Sequence, residues 1–311
     1  MGRALGLIVL SGVLVSAQPS AVIGSAGYSA PVPVKVAPGQ ILTFFVSGIG
    51  AGLTTKVAAD GFPLPNTLAG ISATLSELSQ PPLASEAVPL LAVSPMNSCG
   101  GIIVPVQCTP LAAVTVQIPF FIRTASAVSP IPPPATLTIS ESSGSSASIS
   151  LSPMTDQPHI VTTCDVNVAT SAPGSLCRPV VTHGDGSLVT PEHPAHSGEE
   201  LVLYAFGLGS TLPGLAGGDA SPVPAQPVTG TFTLSSEAAI QVIQSERQSF
   251  APLFAGLTPG FAGLYQVNFL APAPPMPFAS GDCSTPGTPN GNVALTLLGD
   301  SADRASICVV P

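Results

Sequence analysis

Side chains able to do chemistry concentrate between residues 183 and 200. His183, Asp185, Glu192, His193 and His196, followed by Glu199 and Glu200, put imidazoles and carboxylates on one stretch. Such ligands can hold a divalent metal, which would make a metal-dependent hydrolase one reading of the His183–His196 connector. The spacing does not fix a site. There is no H-E-x-x-H or H-x-H, and Pro194 excludes a helical i, i+3 pair. The stretch reads first as a solvated connector loop, with His183, Asp185, His193 and His196 as the residues a metal would use.

Other chemistries find less. There is no G-x-S-x-G nucleophile elbow. Asp60, Asp156, Asp165 and Glu237 are isolated carboxylates that only the fold could bring together as a glycosidase pair. Sugar binding usually stacks rings on exposed aromatics, yet Trp is absent and the tyrosines are Tyr28, Tyr204 and Tyr265. Tyr204 and Tyr265 lie in apolar runs and read as core residues with satisfied hydroxyls. No catalytic residue and no cofactor is expected.

Cys99, Cys108, Cys164, Cys177, Cys283 and Cys308 make an even set without any C-x-x-C, which favours disulfides over zinc. Six cysteines allow fifteen connectivities. The simplest pairs neighbours: Cys99–Cys108, Cys164–Cys177 and Cys283–Cys308.

The elements that must position these groups read as strands. Residues 198–209, GEELVLYAFGLG, open on a turn glycine, cross a sheet and close on Gly-x-Gly; residues 39–50, GQILTFFVSGIG, do the same at an offset of 159. Residues 136–153 align with 294–311 at an offset of 158 with seven identities, among them Thr138/Thr296, Ile149/Ile307 and Pro153/Pro311. The third glycine of a dinucleotide fingerprint is missing, since positions 53 and 212 are Leu and no helix follows. The glycines read as corners using positive φ.

Pro, Gly or polar residues interrupt every later apolar run within about ten positions, which is strand length. Strands are expected at 34–36, 41–47, 71–75, 88–93, 113–120, 136–140, 146–151, within 198–209, and at 229–234, 239–242, 264–270, 293–298 and 306–310. The expected fold is all-β: two tandem Ig-like antiparallel β-sandwich domains after a cleaved signal peptide. The expected boundaries are 1–17 for the signal peptide, 18–27 for a lead-in, 28–155 for the first sandwich, and 156–311 for the connector plus the second.

Arg3, the apolar run 4–17 and the small-x-small end Val15-Ser16-Ala17 carry the signal reading. The run is short of the roughly 20 residues a membrane span needs, and no later run reaches that length, so no integral membrane protein is expected. Charged residues make up only 7% of the chain, with 36 prolines and 31 glycines. An average soluble protein carries about 25% charged residues. The net charge of −9 reflects scarce basic residues. It argues against nucleic acid and anionic lipid as partners.

The motifs resemble an uncharacterised secreted Ig-like β-sandwich family abundant in soil Acidobacteria, the Solibacter-type C-terminal domain. Ala37-Pro38-Gly39 with Gly48-Ile49-Gly50 resembles its A-P-G … G-L-G opening, and Gly198 with Gly207-Leu208-Gly209 the second copy. Residues 185–195 resemble its D-G-S-L-N-S-P-x-N-P-A connector, and residues 255–268 its A-G-L-x-P-G-x-x-G-x-x-Q-V-N pattern. Val189 and His193 stand where that connector has asparagines, and the Cys99–Cys108 stretch departs as an insertion. The resemblance implies fold and export and carries over no catalytic residue. The expectation is a secreted, non-catalytic structural or interaction module of the envelope or extracellular space, with a protein or glycan partner. A carbohydrate- or surface-binding adhesin-like module is the alternative.

Overall fold

The computed structural model describes residues 21–26, 33–77, 85–96, 110–124, 131–166, 176–239, 247–274, 283 and 290–311. The expected signal segment, Tyr28, Cys99 and Cys108 lie outside these residues. Strands dominate, and α1 (Thr163–Val166) is a single turn. No helix among the described residues is long and apolar enough to cross a membrane.

In the first half, one sheet is built on β1 (Val22–Ala26), β3 (Ile41–Ser47), β9 (Leu111–Gln117), β8 (Leu90–Pro95) and β4 (Val57–Ala58), in that spatial order. The facing sheet runs β2 (Val34–Val36), β11 (Ser146–Pro153), β10 (Ala135–Glu141), β6 (Ile71–Glu77) and β5 (Thr67–Leu68). Strand β7 (Glu86–Val88) also pairs with β6. This is an immunoglobulin-type order, B-E-D on one sheet and G-F-C on the other. The split first strand also fits, β1 lying antiparallel to β3 and β2 parallel to β11.

The pattern of residues explains the pairing. Leu137 and Ile139 face inward while Thr136 and Thr138 alternate with them, as a half-covered strand requires. Across the hairpin, Ala147, Ile149 and Leu151 do the same, and Thr138 bonds Ser148 at 2.8 Å on the outer face.

The second half repeats the plan. Strands β12 (His159–Ile160) and β13 (Val181–Thr182) both pair with β15 (Glu200–Phe206), which is followed by β19 (Tyr265–Leu270) and β18 (Phe254–Leu257). The facing sheet is β17 (Gln248–Phe250), β16 (Thr233–Ala238), β20 (Val293–Leu298) and β21 (Ala302–Ile307). Strand β14 (Ala195–His196) lies parallel to β22 (Val309–Val310), as β2 does to β11. Among the described residues, buried apolar side chains form two clusters, one in each half.

Several expectations need correction. The lead-in, residues 18–27, contains β1, a strand of the first sheet. The run 88–93 is two strands in different sheets, because Pro89 has no N–H to continue a ladder. The strand expected at 229–234 lies at Thr233–Ala238; of 239–242, only Ala239 is described, and it is not in a strand. The run 306–310 breaks at Cys308 between β21 and β22. Phe254–Leu257, with Gly256 inside it, gave no periodic signal and is a strand held by β19. Tyr204 is on the outer face of β15, half-buried, whereas Tyr265 is fully buried.

The halves meet end to end. The turn before β3 and the segment after β9 in the first half abut the glycines after β15 and before β19 in the second. Tyr265 donates its hydroxyl to the Gly209 carbonyl at 2.5 Å and lies 3.2 Å from the Pro38 carbonyl. Burial pushes the phenol pKa up, so the proton stays in place. Gly218 N donates to Gln117 Oε1 at 2.6 Å, and Leu64 N donates to the Gly218 carbonyl at 2.8 Å. Phe120 packs against the second cluster of buried residues.

Candidate functional site

The connector, expected to be a solvated loop, exposes Asp185, Glu192, His193 and His196, and its first part is a hairpin paired along the edge of β15. Val181 and Thr182 pair with Leu203 and Val202, and Thr182 bridges to Leu188. Gly186, at φ 85°, turns the chain, and Asp185 Oδ1 accepts from Ser187 N at 2.9 Å and Ser187 Oγ at 2.6 Å. Those hydrogen bonds hold the exposed Asp185 carboxyl below its ordinary pKa.

His183 is buried, which the sequence did not indicate. Its Nδ1 lies 2.6 Å from Glu199 Oε1, and its Nε2 faces the His193 carbonyl at 3.4 Å. The rings of His183 and His193 stack with centroids 4.3 Å apart. Glu199 Oε2 accepts from His196 N at 2.9 Å. Burial works to raise the Glu199 pKa, but the hydrogen bonds from His196 N and His183 hold it below the ordinary value. His196 Nδ1 points elsewhere, toward the Pro311 carbonyl at 3.4 Å. The fold thus brings His183, His193 and Asp185 near one another through Ser187, whose Oγ is 3.4 Å from His193 Nδ1, and leaves His196 apart. Both His183 nitrogens already face oxygen acceptors, so this imidazole has no lone pair directed at a ligand. Among the described residues, no group of three His, Cys, Asp or Glu side chains is arranged to hold a metal ion.

A second cluster escaped the sequence reading. His159 sits between two carboxylates, with Nε2 3.1 Å from Asp165 Oδ2 and Nδ1 3.3 Å from Asp303 Oδ2. Asp165 Oδ2 also accepts from Thr162 N at 2.7 Å and Thr162 Oγ1 at 2.6 Å. Asp303 Oδ2 accepts from Ile160 N at 2.7 Å, and its Oδ1 from Arg304 N at 2.8 Å. Burial acts to lower the His159 pKa, but its hydrogen bonds to Asp165 and Asp303 and their charges outweigh it, raising the pKa to about 9. For both Asp165 and Asp303, burial acts upward and the His159 hydrogen bond prevails, so each pKa is lowered. Asp165 lies in α1, next to the Cys164–Cys177 disulfide that closes the excursion between β12 and β13. His159 and Asp303 are 144 residues apart in number, and no local spacing announces their contact.

This cluster resembles a charge relay only in composition. Thr162 Oγ1 donates to Asp165 rather than to His159, so the Thr162 hydroxyl is not presented to this imidazole. A shallow, open cleft of about 320 Å³ lies alongside, lined by Thr162, Asn290, Arg304 and Ser306. Arg304, its charged lining residue, is bound to Glu237 Oε1 at 3.0 Å. The four isolated carboxylates also part company. Asp60 is exposed, Asp156 caps the Asp300–Ser301 turn at 2.8 and 3.0 Å, Asp165 holds His159, and Glu237 bridges Arg247 and Arg304.

Of the three neighbour pairings, Cys164–Cys177 and Cys283–Cys308 are formed. Cys283 and Cys308 are both buried, tying the segment before β20 to the strand break between β21 and β22. Disulfides of this kind form and persist in oxidising compartments rather than in the cytosol.

No protein-family model matches the chain, and no curated protein matches it in sequence.

Proposed function

We propose that this chain is a secreted, non-catalytic structural or interaction module of the cell envelope or extracellular space, a spacer of two tandem sandwich domains. The observation that carries this reading is the end-to-end junction. Tyr265 and Gly218 of one half are hydrogen-bonded to Pro38, Leu64 and Gln117 of the other, which supports a tandem held as one body. The charged and imidazole groups support it too. His159, His183, Asp156, Glu199 and Glu237 each serve to hold the fold, and a catalytic group would be turned toward substrate. The disulfides suit an oxidising destination, and the secreted Ig-like family that the motifs resemble is the natural relative.

The test is export and silence. The full chain with a carboxy-terminal tag is expressed in an exporting bacterium, fractionated, and compared on reducing and non-reducing gels. It is expected outside the cytoplasm, oxidised, and without turnover on glycoside, ester, peptide and phosphate substrates. Hydrolysis abolished by a single substitution at Asp156, Asp165 or Glu237 would overturn the reading.

A surface-binding, adhesin-like role has one observation in its favour. Phe62 and Phe261, 46% and 53% exposed, present rings from loops beside the junction, where sugars could stack. A glycan array on which Phe261→Ala leaves every signal unchanged removes it.

A further inference from the structure

The outer face of one sheet in the first half carries a single kind of side chain. Outward positions on β6 read Ser-x-Thr-x-Ser from 72, on β10 Thr-x-Thr-x-Ser from 136, and on β11 Ser-x-Ser-x-Ser-x-Ser from 146. All ten bear hydroxyls, and all are exposed or half-exposed. Strand pairing aligns them in rows. Thr74, Thr138 and Ser148 lie side by side, with a row of the same kind on each side. Thr67 on β5, opposite Ser72, lengthens one of these rows. The grid has the spacing of the sheet, about 4.8 Å between strands and roughly 6.7 Å along them.

Charge stays at the margins of this grid. Lys35 is paired opposite Ser152, at one corner. Glu86 pairs with Leu75 and so stands on the inward register. Glu77 and Glu141, at strand ends, accept from Arg123 N and Gly50 N at 2.7 and 3.2 Å. The fold does not demand such a face. Strands favour Thr, Val, Ile and aromatic residues and do not select serine, which fills seven of the ten positions. The second half has the corresponding strands, yet at the repeat offset of 158 it puts Ala294, Leu298 and Arg304 where the first has Thr136, Ser140 and Ser146. There Glu237 is bound to both Arg247 and Arg304.

We infer that this hydroxyl face of the first sandwich binds ice. Two hydrogen bonds of about 2.8 Å that meet at one tetrahedral water set the oxygens they join roughly 4.5 Å apart. The strand spacing is close to that distance, so one water can bridge hydroxyls on adjacent strands. A hydroxyl both donates and accepts, as a lattice water does. A first layer of water held in this way continues into the crystal. A neutral sugar polymer fits less well. It would displace that water for hydrogen bonds of similar worth, and the grid has no ring for a sugar to stack on. Two features limit the match. Thr138 and Ser148 share a direct hydrogen bond of 2.8 Å, so one rung presents a joined pair. Sheet twist turns adjacent strands by about 20°, which confines the fit to these few strands. The contact is therefore with small patches of crystal, and it slows the merging of ice grains without a large depression of freezing.

The inference names a partner for the exported module and rests on that reading, yet the two fail separately, because export and catalytic silence are read by fractionation and turnover. The probe is polycrystalline ice: thin films of the purified, oxidised full chain are flash-frozen and annealed just below melting. Grains are expected to stay small while those in a serum albumin control coarsen. Ser148→Lys combined with Ser150→Lys, both at exposed positions, is expected to abolish the effect with an unchanged protein melting temperature. Ser148→Thr with Ser150→Thr keeps the hydroxyls and is expected to retain it. Ala302→Lys, at an exposed position of the second half, is expected to leave it unchanged. Pull-downs on cellulose and chitin are run alongside. Grains that coarsen as in the control, or inhibition that the paired lysines leave intact, would overturn the inference. So would retention on cellulose or chitin without an effect on ice, which would assign the face to a neutral polysaccharide.

Discussion

The hydroxyl of Tyr265 lies 3.2 Å from the carbonyl of Pro38, although the two residues belong to different halves of the chain. The same hydroxyl donates to Gly209 at 2.5 Å, so one buried group serves a carbonyl on each side of the junction. Tyr265→Phe keeps the ring and strands both acceptors. The expected loss is about 1–3 kcal/mol, the penalty of an unpaired buried polar group. Urea unfolding checks it, and an unchanged midpoint would mean that the hydroxyl is not shared between the halves.

Glycine at 207 is required twice over. Its φ is 74°, and a Cβ there would strike the Gln157 backbone carbonyl, which has little freedom to retreat. Gly198, at φ 82°, faces open space. Gly198→Ala is expected to cost about 1–2 kcal/mol for the left-handed backbone alone. Gly207→Ala should cost about 1–3 kcal/mol more from overpacking. Thermal unfolding of the pair separates backbone strain from crowding; equal losses would refute the crowding.

The His159 bridge predicts an alkaline loss of stability. Its folded pKa, about 9, is above the ordinary 6.5. Its contribution is therefore complete below pH 6.5 and disappears as pH rises through 9, amounting to about 3 kcal/mol at most. Asp165 and Asp303 have lowered folded pKa values, so their contribution is present above the ordinary carboxylate range and is lost as pH falls through the folded values. His159→Gln should flatten the decline between pH 7 and pH 10. Denaturant midpoints at each pH read this out, and an equally steep decline in the variant would sink the assignment.

The Cys164–Cys177 disulfide closes a loop with a sequence separation of 13. Replacing both cysteines by alanine is expected to lose about 3 kcal/mol by the chain-entropy relation. Because Asp165 adjoins Cys164, the variant should also show a weaker alkaline transition. Loss of stability with an unaltered pH profile would separate the disulfide from the His159 bridge.

Much of the architecture was legible in the sequence. The paired glycines at 39 and 198, the alternation in 136–140 and 146–151 and the repeat offset all report local periodicity, and strand pairing preserves local periodicity. The break in the run 88–93 is not legible, because a proline within an apolar run can end one strand and begin another, and only the sheets show which. The connector histidines were legible as residue types and not as an arrangement. Asp185 and Ser187 are neighbours and could be read together, whereas the His183–Glu199 contact depends on how the hairpin lies on its sheet.

Residue types and their spacing are enough for an all-β chain with a duplicated pattern, glycine corners at positive φ, and cysteines spaced for local disulfides. These follow from backbone sterics and from side-chain alternation, which act over a few residues. That His159 is held between Asp165 and Asp303, and that Tyr265 serves both halves, follows only from the assembled sheets. Such contacts join residues far apart in the chain, and burial, not spacing, sets their chemistry.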